Sequence, residues 1–299
     1  MFAALRRWFS GWRLLGVLAF LAIVAWLALR QLPDGRLHVY FLDVGQGDAI
    51  LVLTPDGRQI LIDGGPNPTA LLSELSAVLP FWDRSLDLVV LTHPDGDHLT
   101  GLLDVLDRYQ VGRVLDTSQT DAGPLAVAWR EHLAKSRIPR TIAQRGTRIP
   151  LGDVMLTVLH PSSKPLTGTA SDDNNNSMVL RIDYGPTSLL LTGDAESEAE
   201  ADMVKAGLPL QADLLKIAHH GSNGSTSAPF LTAVAPRVAV IQVGAENSFG
   251  HPAREVLKRL TDSRTEILRT DKNGRIDAVS DGRKLSVKVS RWPTAIGRR

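Results

Sequence analysis

Short apolar runs alternate with amphipathic stretches along most of the chain, and glycine or proline marks nearly every junction. Leu37–Val44, Ala49–Thr54 and Gln59–Ile62 have β character, with Pro55-Asp56-Gly57-Arg58 as a hairpin turn, so the first strands are antiparallel. Helices are predicted over Thr69–Leu79, Leu99–Tyr109 and Leu125–Lys135, with strands at Leu86–Leu91, Arg113–Asp116, Arg140–Ala143 and Val154–Leu159. Leu88–Leu91 is apolar at every position, as in a parallel strand buried on both faces. Ser162–Ser177 is rich in Ser, Thr, Asp, Asn and Gly and reads as a loop. The second half repeats the style. Ser177–Tyr184 and Thr187–Leu191 form a hairpin across Gly185-Pro186. Ala195–Ala206, Ala228–Val234 and Arg254–Leu260 read as helices, and Leu214–Ala218 and Arg237–Val243 as strands. Ile267–Thr270, Arg275–Ser280 and Lys284–Val289 close the chain as short strands. Two halves, each with hairpins followed by strand–helix units, predict an α/β chain: two mixed sheets packed face to face with helices outside, an αββα sandwich.

The N-terminus departs from this pattern. Arg6, Arg7 and Arg13 precede the uncharged apolar run Leu14–Leu29, which Arg30 closes. The run is slightly short of the ~20 residues of a comfortable membrane span, but Trp8, Phe9 and Trp12 are suitable interfacial flanks. The expected organisation is therefore an uncleaved signal anchor over residues 1–30 and one large domain over 31–299, with a cleaved signal peptide as the competing reading. Arginines on the N-terminal side place the following domain outside the cytoplasmic membrane. Setting residues 1–30 aside also removes four of the 33 Lys and Arg and none of the 32 Asp and Glu, leaving the remainder mildly acidic. Bulk charge thus gives no support for tight nucleic-acid binding. The absence of cysteine excludes disulfides and thiolate metal sites, so any metal must be held by His and carboxylate.

The candidate chemistry sits at strand ends. Leu88–Leu91 runs directly into Thr92-His93-Pro94-Asp95-Gly96-Asp97-His98, in which two imidazoles and two carboxylates suit one or two divalent cations. Asp194, the pair His219-His220, and His251 follow three further strands. Ligands bind where strands end in such sheets. Gathered at one edge, these residues could hold two cations roughly 3.5–4 Å apart, with Asp194 as a bridge. Asp43 and Asp48, around Gly45-Gln46-Gly47, suit loop bracing as well as function, and Asp63 is expected to brace neighbouring loops. Lys216, on a buried-looking strand before the His pair, is a candidate contact for an anionic substrate. Ser222, Asn223 and Ser225 line a Gly-rich loop able to donate hydrogen bonds to phosphate. His38 and His132 read as structural or surface residues.

His93 to His98 resembles the HxHxDH signature of the metallo-β-lactamase-fold hydrolases. Asp43–Asp48, Asn174–Ser177, Leu191–Asp194, Lys216–Ser222 and Gly250-His251-Pro252 further resemble the hydrolase domain of ComEC-type DNA-uptake competence proteins. The resemblance covers about residues 37–290 and omits the multi-pass channel of that family. It implies that His93, Asp95, Asp97, His98, Asp194 and His251 ligate one or two zinc or manganese ions, with His219 ligating or at the rim. It further implies a metal-activated hydroxide as nucleophile, oriented by Asp97, with His220 and Lys216 near the reacting oxygens. Phosphodiesters, most plausibly DNA, are the implied substrate; another ester, a lactone, a cell-envelope substrate or a non-catalytic binding module are the rivals. The sequence departs from the signature in having Asp95 where the family has His. The middle metal His is also missing, with Asn174–Asn176 or His160 as its candidate replacement.

Overall fold

The structure, a computed structural model, describes residues 15–23, 33–117 and 123–291. Residues 15–23 form helix α1 within a first unit, Met1–Asp34. Among the described residues no helix is long and apolar enough to cross a membrane, and most of the expected anchor lies outside them.

The second unit, Gly35–Arg299, begins with β1 (Leu37–Phe41), β2 (Ile50–Leu53) and β3 (Gln59–Ile62), antiparallel neighbours as the hairpin turn predicts. α2 (Pro68–Val78) starts where Asn67 Oδ1 accepts hydrogen bonds from the amides of Thr69 and Ala70, and Pro68 fills a first-turn position that needs no N–H. β4 (Ser85–Leu86) and β5 (Leu88–Val90) follow, then α3 (Gly96–Arg108), β6 (Gln110–Val111), β7 (Val114–Asp116), α4 (Pro124–Ser136) and β8 (Arg140–Ile142). The second half runs β9 (Arg148–Leu151), β10 (Val154–His160), β11 (Val179–Tyr184), β12 (Thr187–Leu191), α5 (Ser197–Lys205) and β13 (Leu214–Lys216). It continues with α6 (Ala228–Val234), β14 (Val238–Ile241), α7 (Arg254–Asp262), β15 (Glu266–Arg269), α8 (Thr270–Asn273), β16 (Ile276–Ser280) and β17 (Leu285–Val289).

One sheet is ordered β17-β16-β1-β2-β3-β5-β7-β8 and the other β15-β14-β13-β12-β11-β10-β9. Both are mixed. β3, β5, β7 and β8 are parallel, as are β12, β13, β14 and β15. Three apolar clusters define four layers. Ile60, Ile62, Leu88 and Val90 meet Leu189, Leu191, Leu214 and Val240 between the sheets. Leu61, Val89 and Leu91, one position out of phase, pack instead on Leu71, Leu75, Leu99 and Leu102 of α2 and α3. Leu190, Leu215 and Ile241 do the same against Met203, Phe230 and Leu260 of α5, α6 and α7. Strands apolar on both faces are what helices on both sides of a sandwich require, and each buried Leu or Ile contributes roughly 1.5–3 kcal/mol.

Two expectations shift. β9 was not anticipated, because Pro150 lies inside it; it forms the edge of its sheet, where a missing N–H is tolerated. α3 begins at Gly96 instead of Leu99, so Asp97 and His98 belong to its first turn and not to a loop.

Candidate metal centre

Because β3, β5, β12, β13 and β14 are parallel-paired in their sheets, their carboxyl ends deliver Asp63, His93, Asp194, His219-His220 and the 244–251 loop to the sheet edges. Cross-links hold the two edges together. Met178 N donates to Thr92 O (3.0 Å), and Gln242 Nε2 donates to Leu42 O (3.1 Å) and Ala49 O (2.9 Å). Gly47 is needed for close approach: any side chain there would collide with the Asp97 backbone, and its φ of +154° is one that favours glycine.

The imidazoles are oriented by one repeated device. Thr92 Oγ1 donates to Asp63 Oδ2 (2.7 Å), so it accepts from His93 Nδ1 (3.0 Å). His98 Nδ1 donates to Asp63 Oδ2 (2.9 Å), His220 Nδ1 to Gln242 O (2.9 Å) and His219 Nδ1 to Glu196 Oε1 (2.9 Å). Each ring thereby leaves its Nε2 for the interior, the arrangement by which outer partners fix metal-ligating histidines. His98 Nε2 lies 3.3 Å from Asp194 Oδ1, His220 Nε2 3.0 Å from Asp97 Oδ2 and 3.6 Å from Asp194 Oδ2, and His219 Nε2 3.9 Å from Asp194 Oδ2. One group gathers Asp97, His98, Asp194 and His220 with ligand atoms within 4.8 Å of one another. His93 adjoins it, its ring centroid 4.1 Å from that of His98, and Asp95 reaches within 3.6 Å of His93 Nε2. His251 stands at the rim, 5.5 Å from the His219 ring. Of the two adjacent imidazoles it is therefore His220 that joins the ligand group, while His219 borders it.

Backbone strain aims this pair. His219 and His220 both have positive φ, +47° and +51°, unfavourable for residues bearing a Cβ and typical of functional turns. Electrostatics follows from the crowding. Burial acts against charge on His220, yet Asp194 together with hydrogen bonds to Asp48 and Asp97 pushes its pKa up to about 10. Burial opposes ionisation of Asp97 as well, but its hydrogen bond with His220 and the charge of His98 bring it down to about 2. Burial likewise penalises both charged groups, but Asp194 drives His98 well above its usual range and His98 holds Asp194 well below its own.

No metal is part of the structure, and the residues fit one. His93 Nε2 is buried with no hydrogen-bond partner among the described residues, and His98 Nε2 and Asp194 Oδ1, also buried, face each other as an ion pair at 3.3 Å, an arrangement that a cation can enter. All-imidazole and carboxylate donors suit zinc or manganese.

Lys216 is placed differently from the expected substrate contact. It is 0% exposed, ion-paired with Asp48, donates to Gly193 O (2.9 Å) and lies 3.8 Å from Asp194 Oδ1. It braces carboxylates from beneath, because a charge on a strand interior cannot reach a substrate in solvent. Ser225 is also structural, its hydroxyl donating to Ala218 O (2.8 Å). His160 donates from Nε2 to Asn175 O (2.8 Å) and stands outside the ligand group. Asn175 and Asn176 hold backbone through Ala199 N and Leu166, while Asn174 approaches His219 Nδ1 at 3.4 Å. Asp63 braces Thr92 and His98 as expected. Glu196 and Gln242, which orient His219 and His220, carry no motif and were not anticipated; only burial reveals them.

Two mixed sheets under flanking helices, with His and Asp gathered from their carboxyl ends, are the frame of a known hydrolase family, and a direct comparison bears this out: residues 42–245 match the Metallo-beta-lactamase superfamily, to which the chain belongs. More particularly, it is 31% identical over 262 residues to ComE operon protein 3 of Bacillus subtilis (strain 168), covering 80% of this chain and 32% of that protein. It is 32% identical over 243 residues to Competence protein ComA of Neisseria gonorrhoeae, covering 81% and 32%. The chain thus spans about a third of the length of these relatives. The metallo-beta-lactamase fold protein YhfI from Bacillus subtilis superposes with a TM-score of 0.54 at 15% identity, over 78% of this chain and 96% of that one.

Proposed function

We propose that this chain is a metal-dependent phosphodiesterase acting on DNA, with residues 1–30 tethering residues 31–299 outside the cytoplasmic membrane. The observation that carries the reading is the set of imidazoles whose Nδ1 groups are all tied to protein acceptors while Nε2 faces a carboxylate, Asp95 for His93 and Asp97 or Asp194 for His98, His219 and His220. Likeness to relatives named for competence supports DNA as the substrate. Asp97, His98, Asp194 and His220 would hold one divalent cation, zinc or manganese, and His93 and Asp95 a second beside it. Such a cation supplies Lewis acidity, bringing the pKa of water towards neutrality and offsetting charge on phosphoryl oxygens.

The chain's own residues set the geometry. Asp97, its side chain 34% exposed, is open to solvent on one side and lies beside His220 on the other, so it can accept a hydrogen bond from the attacking water and fix its direction. His219, tied to Glu196 through Nδ1, offers Nε2 to the attacked or leaving oxygen. Lys216 keeps Asp48 and Asp194 charged on the buried floor of the site.

The test uses the full chain, stripped with a chelator and reloaded with manganese or zinc, on labelled single-stranded DNA and on bis(4-nitrophenyl) phosphate. Cleavage of both with metal and of neither without it is expected. Cleavage of the small ester but never of DNA would overturn the substrate. Failure to bind one equivalent of metal, with no turnover, would overturn the hydrolytic reading in favour of a binding module.

A further inference from the structure

One side chain at the rim has no part in the hydrolysis. Phe249 lies on the 244–251 loop and is 69% exposed. Single exposed apolar side chains are ordinary, but the placement of this one is not. Its ring stacks on the imidazole of His251, centroids 5.8 Å apart and planes 25° from parallel. His251 in turn meets His219 edge-on at 5.5 Å, and His219 borders Asp194. The loop holds the ring in position. Asn247 Oδ1 accepts from Phe249 N (3.2 Å) and His251 N (3.0 Å), and its Nδ2 donates to Gly244 O (3.0 Å) and His251 O (2.7 Å). Gly244 N is fixed to Gln46 Oε1 (3.0 Å). One side of the ring is covered by an imidazole and the rest meets water.

We propose that Phe249 is a stacking platform for a nucleobase next to the scissile phosphodiester, which makes the site selective for strands whose bases are unstacked. This rests on the phosphodiesterase reading and adds to it how the substrate is recognised. A base lies one sugar away from its phosphate; Phe249 lies one imidazole away from His219. Every base has a π face, so such a contact favours single strands without reading their sequence. It also supplies affinity that the near-neutral charge of the chain does not.

The experiment measures binding of the full chain, metal-free in chelator so that nothing is cleaved, to a fluorescent single strand and to the same strand made abasic. Wild type should prefer the base-bearing strand, and Phe249→Ala should lower that preference about tenfold, while Phe249→Trp should keep it. A thermal melt confirms that both variants fold. Equal preference in Phe249→Ala and wild type overturns the proposal, as does no measurable binding of either strand by wild type. Absence of DNA cleavage by reloaded wild type, by contrast, strikes the phosphodiesterase reading alone.

Discussion

The two halves of the centre are built in different ways. The first half delivers its candidate ligands in one contiguous segment: β5 ends, and within six residues His93, Asp95, Asp97 and His98 are placed by a turn and the opening of α3. The second half delivers Asp194 and His220 to the group, and His251 to its rim, from three separate strand ends, two of them through loops, and it turns His219 and His220 inward only by holding both at positive φ. A contiguous segment can be positioned largely by one brace, Asp63 at the end of β3, which holds both Thr92 and His98. Scattered ligands depend on the sheet itself and on long-range braces such as Gln242 and Lys216. The first half should therefore be robust and the second should need its partners.

The largest effect is expected where the halves meet. Asp194→Asn keeps the shape but removes the charge shared by His98, His220 and Lys216. Turnover should fall on the order of a thousandfold, and the protein should emerge from purification with its metal content reduced, as elemental analysis would report. Retention of both would mean that the two halves work independently.

A smaller loss should follow from the braces, and it sharpens the contrast. Asp63→Asn and Glu196→Gln each weaken one acceptor behind a histidine. The ring behind Asp63 lies in the ligand group and the ring behind Glu196 at its border. Metal affinity, followed by competition with a chelating dye, should drop roughly 10–100-fold for Asp63→Asn and much less for Glu196→Gln. Equal losses would place His219 among the ligands.

The smallest effect concerns pH. In metal-free protein the His220 pKa of about 10 lies above its unfolded value, so the stabilisation it brings is complete below about pH 6.5 and is lost as pH rises through 10. Its neighbours Asp48, Asp97 and Asp194 stay ionised throughout. The melting temperature of stripped protein should fall by about 5 °C or more between pH 6.5 and 10. With metal in place of the proton the same window should be nearly flat. A flat profile for the stripped protein would contradict the ion pairing of His220.

The same contrast explains what could be read from sequence. The αββα layering was legible because apolar runs such as Leu88–Leu91 are two-faced and glycine marks the turns. The His93–His98 cluster was legible because residue types able to ligate metal stand side by side in it. Asp194 and His251 were visible only as single residues after strands, and choosing between His219 and His220 required the distance of each Nε2 from Asp97 and Asp194. Lys216 was misread because sequence shows that a lysine precedes the His pair, not that its ammonium lies between Asp48 and Asp194. Glu196 and Gln242 were illegible, since a brace is defined by what lies beside it across the fold. The start of α3 was misplaced because Asp97 and His98 break the apolar periodicity while still fitting a helical first turn.

The central claim is that distant segments enclose one cation-binding site. Anomalous X-ray diffraction from crystals of the manganese- or zinc-loaded protein, recorded at the edge of that metal, tests it most directly. The account predicts a peak bounded by Asp97, His98, Asp194 and His220, whether or not a second lies beside His93 and Asp95; an anomalous map with no peak in that first group would contradict it.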